Sequence, residues 1–392
     1  MISMADFKEL CPHSEFCGGC IYQGTPYEEQ LKEKEREVLR LLEEKGAKTE
    51  KFDSIEGCPS QYCYRNKMEY TFGDFVKDGG TTLGMHRKKN FMSIVTVDNC
   101  QLVDPDFNVI LRTVLDFVNE KEYPFYHKRT HKGLMRNLII RKGVRTGELL
   151  VNIVTTSEEG FNETEFTERL LSLTLNNKIV GILRTFNDSL ADAVIPERLE
   201  TLWGRDYYTE KILGLDFKVS AFSFFQTNIE AVERLYSEAL DLIDGLEGKK
   251  VFDLFCGTGT ISQIMALKAK EVLGIELIAE AVEAAKVNAG LNGLSNCEFL
   301  AGDVLKVLDD IEEKPDFIVL DPPRDGIHPK ALDKIIDYGV DRMIYISCKP
   351  TSLARDLVVL QERGYKVDRC CCVDMFPSTG NVETVAILSK VK

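Results

Sequence analysis

The sequence predicts an α/β protein in two parts. A doubly wound, Rossmann-like domain is expected over residues 226–392 and an antiparallel α+β domain over residues 1–225. Three observations predict this. After Gln226 apolar runs of strand length alternate with helical patterns, the signature of a parallel sheet covered on both faces. Between Tyr62 and about Val219 the runs are short, alternate in polarity and are broken by Gly, Asn and Asp, the texture of hairpins. A length of 392 residues is also more than one core usually fills.

The first twenty residues contain Cys11-Pro-His-Ser-Glu-Phe-Cys17-Gly-Gly-Cys20. Three thiols spaced this way, with glycines between the last pair, can fold round one centre, and Cys58, Cys63 or Cys100 could supply a fourth ligand. Thiolates suit zinc or iron–sulfur centres; zinc sites usually repeat the two-residue pair, so the spacing favours an iron–sulfur cluster. Tyr27, Leu31, Val38, Leu41 and Leu42 then mark one amphipathic helix from about Pro26 to a stop at Gly46. In the middle segment strands are expected at Lys67–Phe72, Leu138–Arg141, Glu148–Thr155 and Ile179–Thr185, with a helix near Phe107–Lys121. Beyond Gln226 the order is helix Ile229–Ile243, strand Lys250–Phe255, a helix after Thr260, strand Val272–Glu276 and helix Ala279–Ala289. Strands Cys297–Leu300, Phe317–Leu320 and Met343–Ser347 complete it.

Hydrophobic content of 44% and charged content of 29% are those of an ordinary globular protein, and no apolar run reaches the ~20 residues of a membrane helix. Residues Met1 to Leu10 lack a basic flank followed by an apolar stretch, so a cytoplasmic protein is expected, in which the twelve cysteines stay reduced. A net charge of −14 excludes a uniformly basic nucleic-acid binder. Locally the balance reverses: Lys121 to Arg145 holds eight Lys or Arg against one acid, Glu122. Arg65-Asn-Lys67 and His86-Arg-Lys-Lys89 add cations near Tyr62, Tyr64, Tyr70, Phe72 and Phe75. Such mixtures hold single-stranded RNA by stacking and phosphate contact, and they also pack ordinary sheets.

Asp253-Leu-Phe-Cys-Gly257-Thr-Gly259-Thr follows a strand and opens a helix. Glu276 lies 17 residues past Gly259, where an acid can accept ribose hydroxyls, and Asp303 after the third strand can meet an adenine amine. A dinucleotide fingerprint wants a third glycine where Ser262 stands, so S-adenosylmethionine is favoured over NAD. Asp321-Pro-Pro-Arg324 ends the fourth strand, and Cys348 ends the fifth in Tyr345-Ile-Ser-Cys348-Lys-Pro, at the sheet edge where α/β proteins do chemistry. A free cysteine is more often buried and inert. Carbon 5 of uracil, however, becomes a nucleophile only after a thiolate adds to carbon 6, and a base must then remove the carbon-5 proton. Cys348 can supply the thiol and Glu383, after the following strand, the base.

In these residues the chain resembles the S-adenosylmethionine-dependent RNA uracil-5-methyltransferases over nearly its whole length. The resemblance implies that Cys11, Cys17, Cys20 and Cys100 ligate a 4Fe-4S cluster carried by an RNA-binding first domain. It implies that Phe224-Phe-Gln226-Thr-Asn puts an aromatic, Phe224, by the target base and Gln226 on the cofactor. It assigns Phe255, Glu276, Asp303 and Asp321 to the cofactor or pocket, Cys348 to the nucleophile and Glu383 to the proton acceptor. A cluster without the β-barrel that begins larger members is most similar to the shorter ribosomal enzymes. The expected substrate is therefore 23S ribosomal RNA, the alternative a transfer-RNA T-loop uridine, and the expected state a monomer. Rivals of another kind are a cluster-based RNA-binding protein and a small-molecule methyltransferase. Two positions depart from the family pattern: Asn381 precedes Val-Glu383 where histidine is common, and Lys349 follows the cysteine where asparagine is common.

Overall fold

The computed structural model describes residues 10–391 except 192, 193, 244 and 312, so the reading of the first nine residues lies outside it. The chain divides into two compact units. One comprises residues up to 24, 60–211 and 219–222; the other comprises 25–59, 212–218 and 223–392. Residues 25–59, grouped with the first domain by the sequence, thus fall in the second unit. Among the described residues no helix is long and apolar enough to cross a membrane.

Helix α1 (Tyr27–Lys45) ends at Gly46, whose φ of 80° is the left-handed cap that glycine adopts without strain. Its buried stripe includes Val38 and Leu42, which join the core of the second unit beside Leu353, Leu357 and Leu360. Burying each such side chain stabilises by about 1.5–3 kcal/mol.

The first unit contains β1 (Lys67–Asp74), β2 (Thr81–Arg87), β3 (Asn90–Thr96), α2 (Pro105–Glu120), β4 (Met135–Gly143), β5 (Glu148–Thr155), α3 (Glu163–Leu171), β6 (Lys178–Phe186) and β7 (Arg198–Gly204). They build a seven-stranded sheet ordered β3-β2-β1-β4-β5-β6-β7. The expectation of a wholly antiparallel sheet needs correction: β5 and β6 pair in parallel, with α3 as the crossover between them. Asp104 caps α2 by accepting from Asp106 N, and Pro105 sits at the first turn. The apolar face of α2, including Phe107, Ile110, Val114 and Phe117, packs in one core with Tyr70, Phe72, Leu138 and Ile140. A separate hairpin, β8 (Tyr207–Ile212) and β9 (Leu215–Ser220), follows.

Two cations of the basic stretch prove to be internal. Arg136 donates to the carbonyls of Asn187, Ser189 and Ala191 at 2.8 Å each, and Arg141 is fully buried, while Lys142 pairs with Asp104. Lys121, Arg129, Lys132 and Arg145 are exposed, Lys121 in a surface pair with Glu165. Tyr64, Tyr70 and Phe72 are core residues, whereas Tyr62 and Phe75 are half-buried. Side chains that alternate along a strand face opposite sides of the sheet, and the core claims those three rings.

The rest of the second unit runs α4 (Ile229–Leu242), β10 (Lys250–Asp253), α5 (Thr260–Ala266), β11 (Glu271–Glu276), α6 (Ala279–Leu291), β12 (Cys297–Ala301), α7 (Val304–Asp310), β13 (Phe317–Leu320), α8 (Pro329–Tyr338), β14 (Arg342–Ser347), α9 (Pro350–Glu362), β15 (Tyr365–Val373) and β16 (Glu383–Lys390). The sheet order is β12-β11-β10-β13-β14-β16-β15, the first five strands parallel and β16 antiparallel to both its neighbours. Order reverses between β10 and β13, so a crevice is expected beyond their carboxyl ends. Residues 49–56 run parallel along β15, with Glu50 N, Asp53 N and Glu56 N donating to the carbonyls of Val367, Cys370 and Cys372. This covers an edge that would otherwise expose unpaired backbone.

Candidate active site

Every residue assigned to catalysis or to S-adenosylmethionine lies in the second unit, at the carboxyl ends of the parallel strands or beside them. Ser347 on β14 pairs with Thr384 on β16, so Cys348 and Glu383 are the next pair out along the same ladder. Two residues 35 apart in sequence are thus opposed by strand register alone. Asp321 follows β13, and Asp253 ends β10, where Val319 is its ladder partner.

Burial sets the electrostatics of this edge. Glu383 is 4% exposed, accepts no hydrogen bond from any described residue, and is pushed up to about 8 by burial and then by the charge of Asp321, against the opposing pull of Arg324. Asp321 is pushed up to about 7 by burial and by Asp253. Burial raises Asp253 to about 6 despite a 2.6 Å hydrogen bond from Ser262 Oγ. The Cys348 thiol is pushed up to about 11 by burial and by Glu383, with Arg324 again opposing. Three carboxyl groups and a thiol therefore share a low-dielectric pocket in which Arg324 is the cation that acts on both Cys348 and Glu383.

Arg324 donates to Asn381 Oδ1 at 3.3 Å, two residues before Glu383. Its loop is fastened to α9: Ser352 Oγ donates to Arg324 O, and Asp356 accepts from Ile327 N and from Tyr345 OH. Gly326, at φ 77°, permits this turn, since a Cβ there would stand 2.5 Å from the Arg355 guanidinium. The loop before Glu383 is also anchored. Asp374 receives Lys34 Nζ at 2.6 Å and Tyr27 OH at 2.9 Å, while Asn228 Nδ2 donates to Met375 O.

On the cofactor side, both Glu276 oxygens are held, by Gly257 N at 3.1 Å and Ile278 N at 3.0 Å. The two glycines differ in purpose. A Cβ on Gly257 (φ 53°) would meet nothing within 4 Å, so this turn faces open space. A Cβ on Gly259 would strike the Phe299 ring at 2.7 Å, so that glycine serves helix–strand packing. Asp303 caps α7 through Leu305 N. Phe255 packs against the core, and Thr258 Oγ1 donates to Phe224 O at 3.3 Å, leaving the Phe224 ring 71% exposed.

Sequence reasoning missed Tyr236 on α4. Its buried hydroxyl is hydrogen-bonded with Gln226, and its ionisation is held back by burial and by the charges of Asp321, Glu383 and Asp253. The available signal was a tyrosine on an otherwise apolar helix stripe, where a hydroxyl needs a partner.

In the first unit, Cys100 is pushed up to about 12 by burial and by the charges of Cys11, Cys20 and Cys17, so these four thiols are electrostatic neighbours. Of the other two candidates, Cys58 belongs to the second unit and accepts from Asn228, whereas Cys63 N donates to Gln101 O, next to Cys100, and its thiol feels Asp104 and Lys142. Among the described residues no group of three or more His, Cys, Asp or Glu side chains forms a metal-ion site.

A family model described as tRNA (Uracil-5-)-methyltransferase matches residues 26–391. An uncharacterized RNA methyltransferase of Clostridium acetobutylicum is 52% identical over 382 residues, 97% of this chain and 83% of that protein. One from Caldanaerobacter subterraneus is 50% identical over 385 residues, 98% of this chain and 85% of that protein. Among solved structures, the Pyrococcus abyssi tRNA (uracil-54, C5)-methyltransferase in complex with S-adenosyl-L-homocysteine superposes with a TM-score of 0.78 at 26% identity. It covers 95% of this chain and 84% of the archaeal one.

Proposed function

The chain belongs to the tRNA (uracil-5-)-methyltransferase family, and on that premise we propose that it methylates carbon 5 of one unpaired uridine in RNA, with 23S ribosomal RNA as the substrate. The observation that carries the mechanism is the opposition of Cys348 and Glu383 on adjacent strands. The Cys348 thiolate adds to carbon 6, its lone pair forming the S–C bond as the C5=C6 pair is displaced toward the carbon-4 carbonyl, which gives an enolate nucleophilic at carbon 5. S-adenosylmethionine supplies the methyl group as an electrophile at a cationic sulfur. Glu383 takes the carbon-5 proton, the double bond re-forms, and the Cys348 thiolate leaves.

The residues present suit such a donor. Gly257 turns toward open space, Glu276 stands 19 residues beyond it, and Asp253 and Asp321 are raised by burial and then by neighbouring carboxylate charge. A cation bound beside Asp321 would oppose both causes and favour its ionised form. Gln226, braced by Tyr236, is assigned to the cofactor and Phe224 to the face of the flipped base, with Phe255, Glu276 and Asp303 completing the pocket.

The same proposal assigns Cys11, Cys17, Cys20 and Cys100 to a 4Fe-4S cluster, supported by their mutual charge interactions; no step of the reaction runs through it. Iron and sulfide analysis of anaerobically purified protein tests it, and protein that folds without either removes the assignment. A transfer-RNA uridine is the second reading, favoured by the substrate of the archaeal relative. Methyl transfer from labelled S-adenosylmethionine to unmodified 23S ribosomal RNA and to total transfer RNA separates the two. Label in 5-methyluridine of the ribosomal RNA is the expected result; label in transfer RNA overturns the substrate, and label in neither overturns the reaction.

A further inference from the structure

The most exposed large apolar side chain among the described residues is Phe91, 80% open to solvent in the first unit. It lies just past the β2–β3 turn, where Arg87 pairs with Asn90 across Lys88 and Lys89. Lys89 adopts a φ of 60°, a left-handed backbone that glycine takes without strain and a lysine seldom does. Beyond the turn the chain is fixed: Asn90 Nδ2 donates to Ser93 Oγ and Met92 N donates to Asn90 Oδ1. Phe91 is therefore turned outward beside the half-exposed Met92, with the His86 ring edge-on at 6.1 Å between centroids. That one edge contact leaves most of the ring's surface, at a cationic turn, open to a ligand.

The base of the turn is equally rigid. Gly18 N donates to His86 O at 3.0 Å, Lys88 N to Phe16 O at 2.8 Å, and Lys88 Nζ to Ser14 O at 2.6 Å. Arg87 lies over the Phe16 and Phe75 rings at 5.3 and 5.0 Å. The loop carrying Cys17 thus clamps the hairpin, and a side chain on Gly18 would crowd His86 O at 3.1 Å. Lys89 has no ion-pair partner among the described residues, and no acid occurs between His86 and Val97. Positive charge beside an unburied ring complements a phosphate chain carrying unstacked bases.

We propose that the β2–β3 turn is an RNA contact in which Phe91 stacks on an unpaired base and Lys89 meets the adjoining phosphate. This rests on the reading of the chain as an RNA methyltransferase, and it makes Phe91 an RNA-binding residue of the first unit.

The test uses the full chain saturated with S-adenosylhomocysteine and fluorescent oligouridylate, with an RNA duplex as control. Phe91→Ala weakens oligouridylate binding about tenfold, Phe91→Trp restores it, and Lys89→Ala lowers the slope of affinity against salt by about one unit. S-adenosylhomocysteine affinity and melting temperature stay unchanged in all three. Oligouridylate binding that is absent in the parent, or within twofold of the parent in Phe91→Ala, overturns the proposal. So does a change in self-association by sedimentation with RNA affinity intact, which makes the turn a protein interface. Methylation by the parent is scored separately, so its absence sinks the assigned reaction whatever the binding result.

Discussion

Each of the two units buries a glutamate, and they treat it in opposite ways. In the first unit the buried carboxylate is answered. Glu210 is fully buried and raised by burial, yet it accepts from the backbone N–H groups of Val144, Arg145 and Lys211, and Arg136 satisfies three carbonyls. In the second unit Glu383 is almost as buried and no described residue donates to it, while Asp321 and Asp253 stand near with raised pKa values. A satisfied buried charge fixes a backbone, and an unsatisfied one is free to exchange a proton. The parallel sheet makes the second case possible because its strands end side by side, whereas hairpins return each strand to the other edge.

The sharpest way to break this contrast is at the thiol. Cys348→Ala is expected to lower methyl transfer by a factor of about a thousand or more while S-adenosylhomocysteine binding, read by calorimetry, is retained. Appreciable residual turnover would mean the pocket does not use the thiol. Glu383→Gln should stop the cycle one stage later, accumulating a covalent RNA–protein species that survives denaturing electrophoresis; no shifted band would deny the residue its role as base. In the first unit the same isosteric logic fails, because Glu210 holds backbone. Glu210→Ala is expected to cost about 2–4 kcal/mol in denaturant unfolding with S-adenosylhomocysteine affinity unchanged, and a loss under 1 kcal/mol would show that those three N–H groups find other partners.

The smallest effect concerns pH. Glu383 binds its proton more tightly folded than unfolded, so its contribution is present below its unfolded value near 4.5 and is lost as pH rises through about 8. Ligand-free protein should therefore melt at progressively lower temperature from pH 5 to 8, and Glu383→Gln should recover about 2–4 °C at pH 8. Identical melting profiles for parent and variant would mean the carboxyl is better solvated than its burial indicates.

Much of the second unit was legible in the sequence because a parallel sheet buries both faces of each strand. Phe317–Leu320 is wholly apolar and Arg342–Ser347 holds the apolar run Met343 to Ile346; the ends of both point to the site, and Cys348 follows the second directly. The insertion of β16 between β14 and β15 was not legible, since periodicity reports burial and carries no information about neighbours. For the same reason α1 could be read as a helix and not as part of the second unit. Tyr236 and Arg324 escaped assignment because their importance depends on groups distant in sequence, and the basic stretch misled because Arg136 and Arg141 are inside.

The pairing of Lys34 with Asp374 joins residues 340 positions apart. At ribosomal speeds of about 5–20 residues per second, α1 emerges roughly 20–70 s before its partner is made. The intervening first unit can complete its own sheet during that wait, whereas an amphipathic helix with nowhere to dock remains exposed. Synthesis therefore has a vulnerable interval, in which α1 is open to chaperones and proteases until Asp374, next after β15, is delivered.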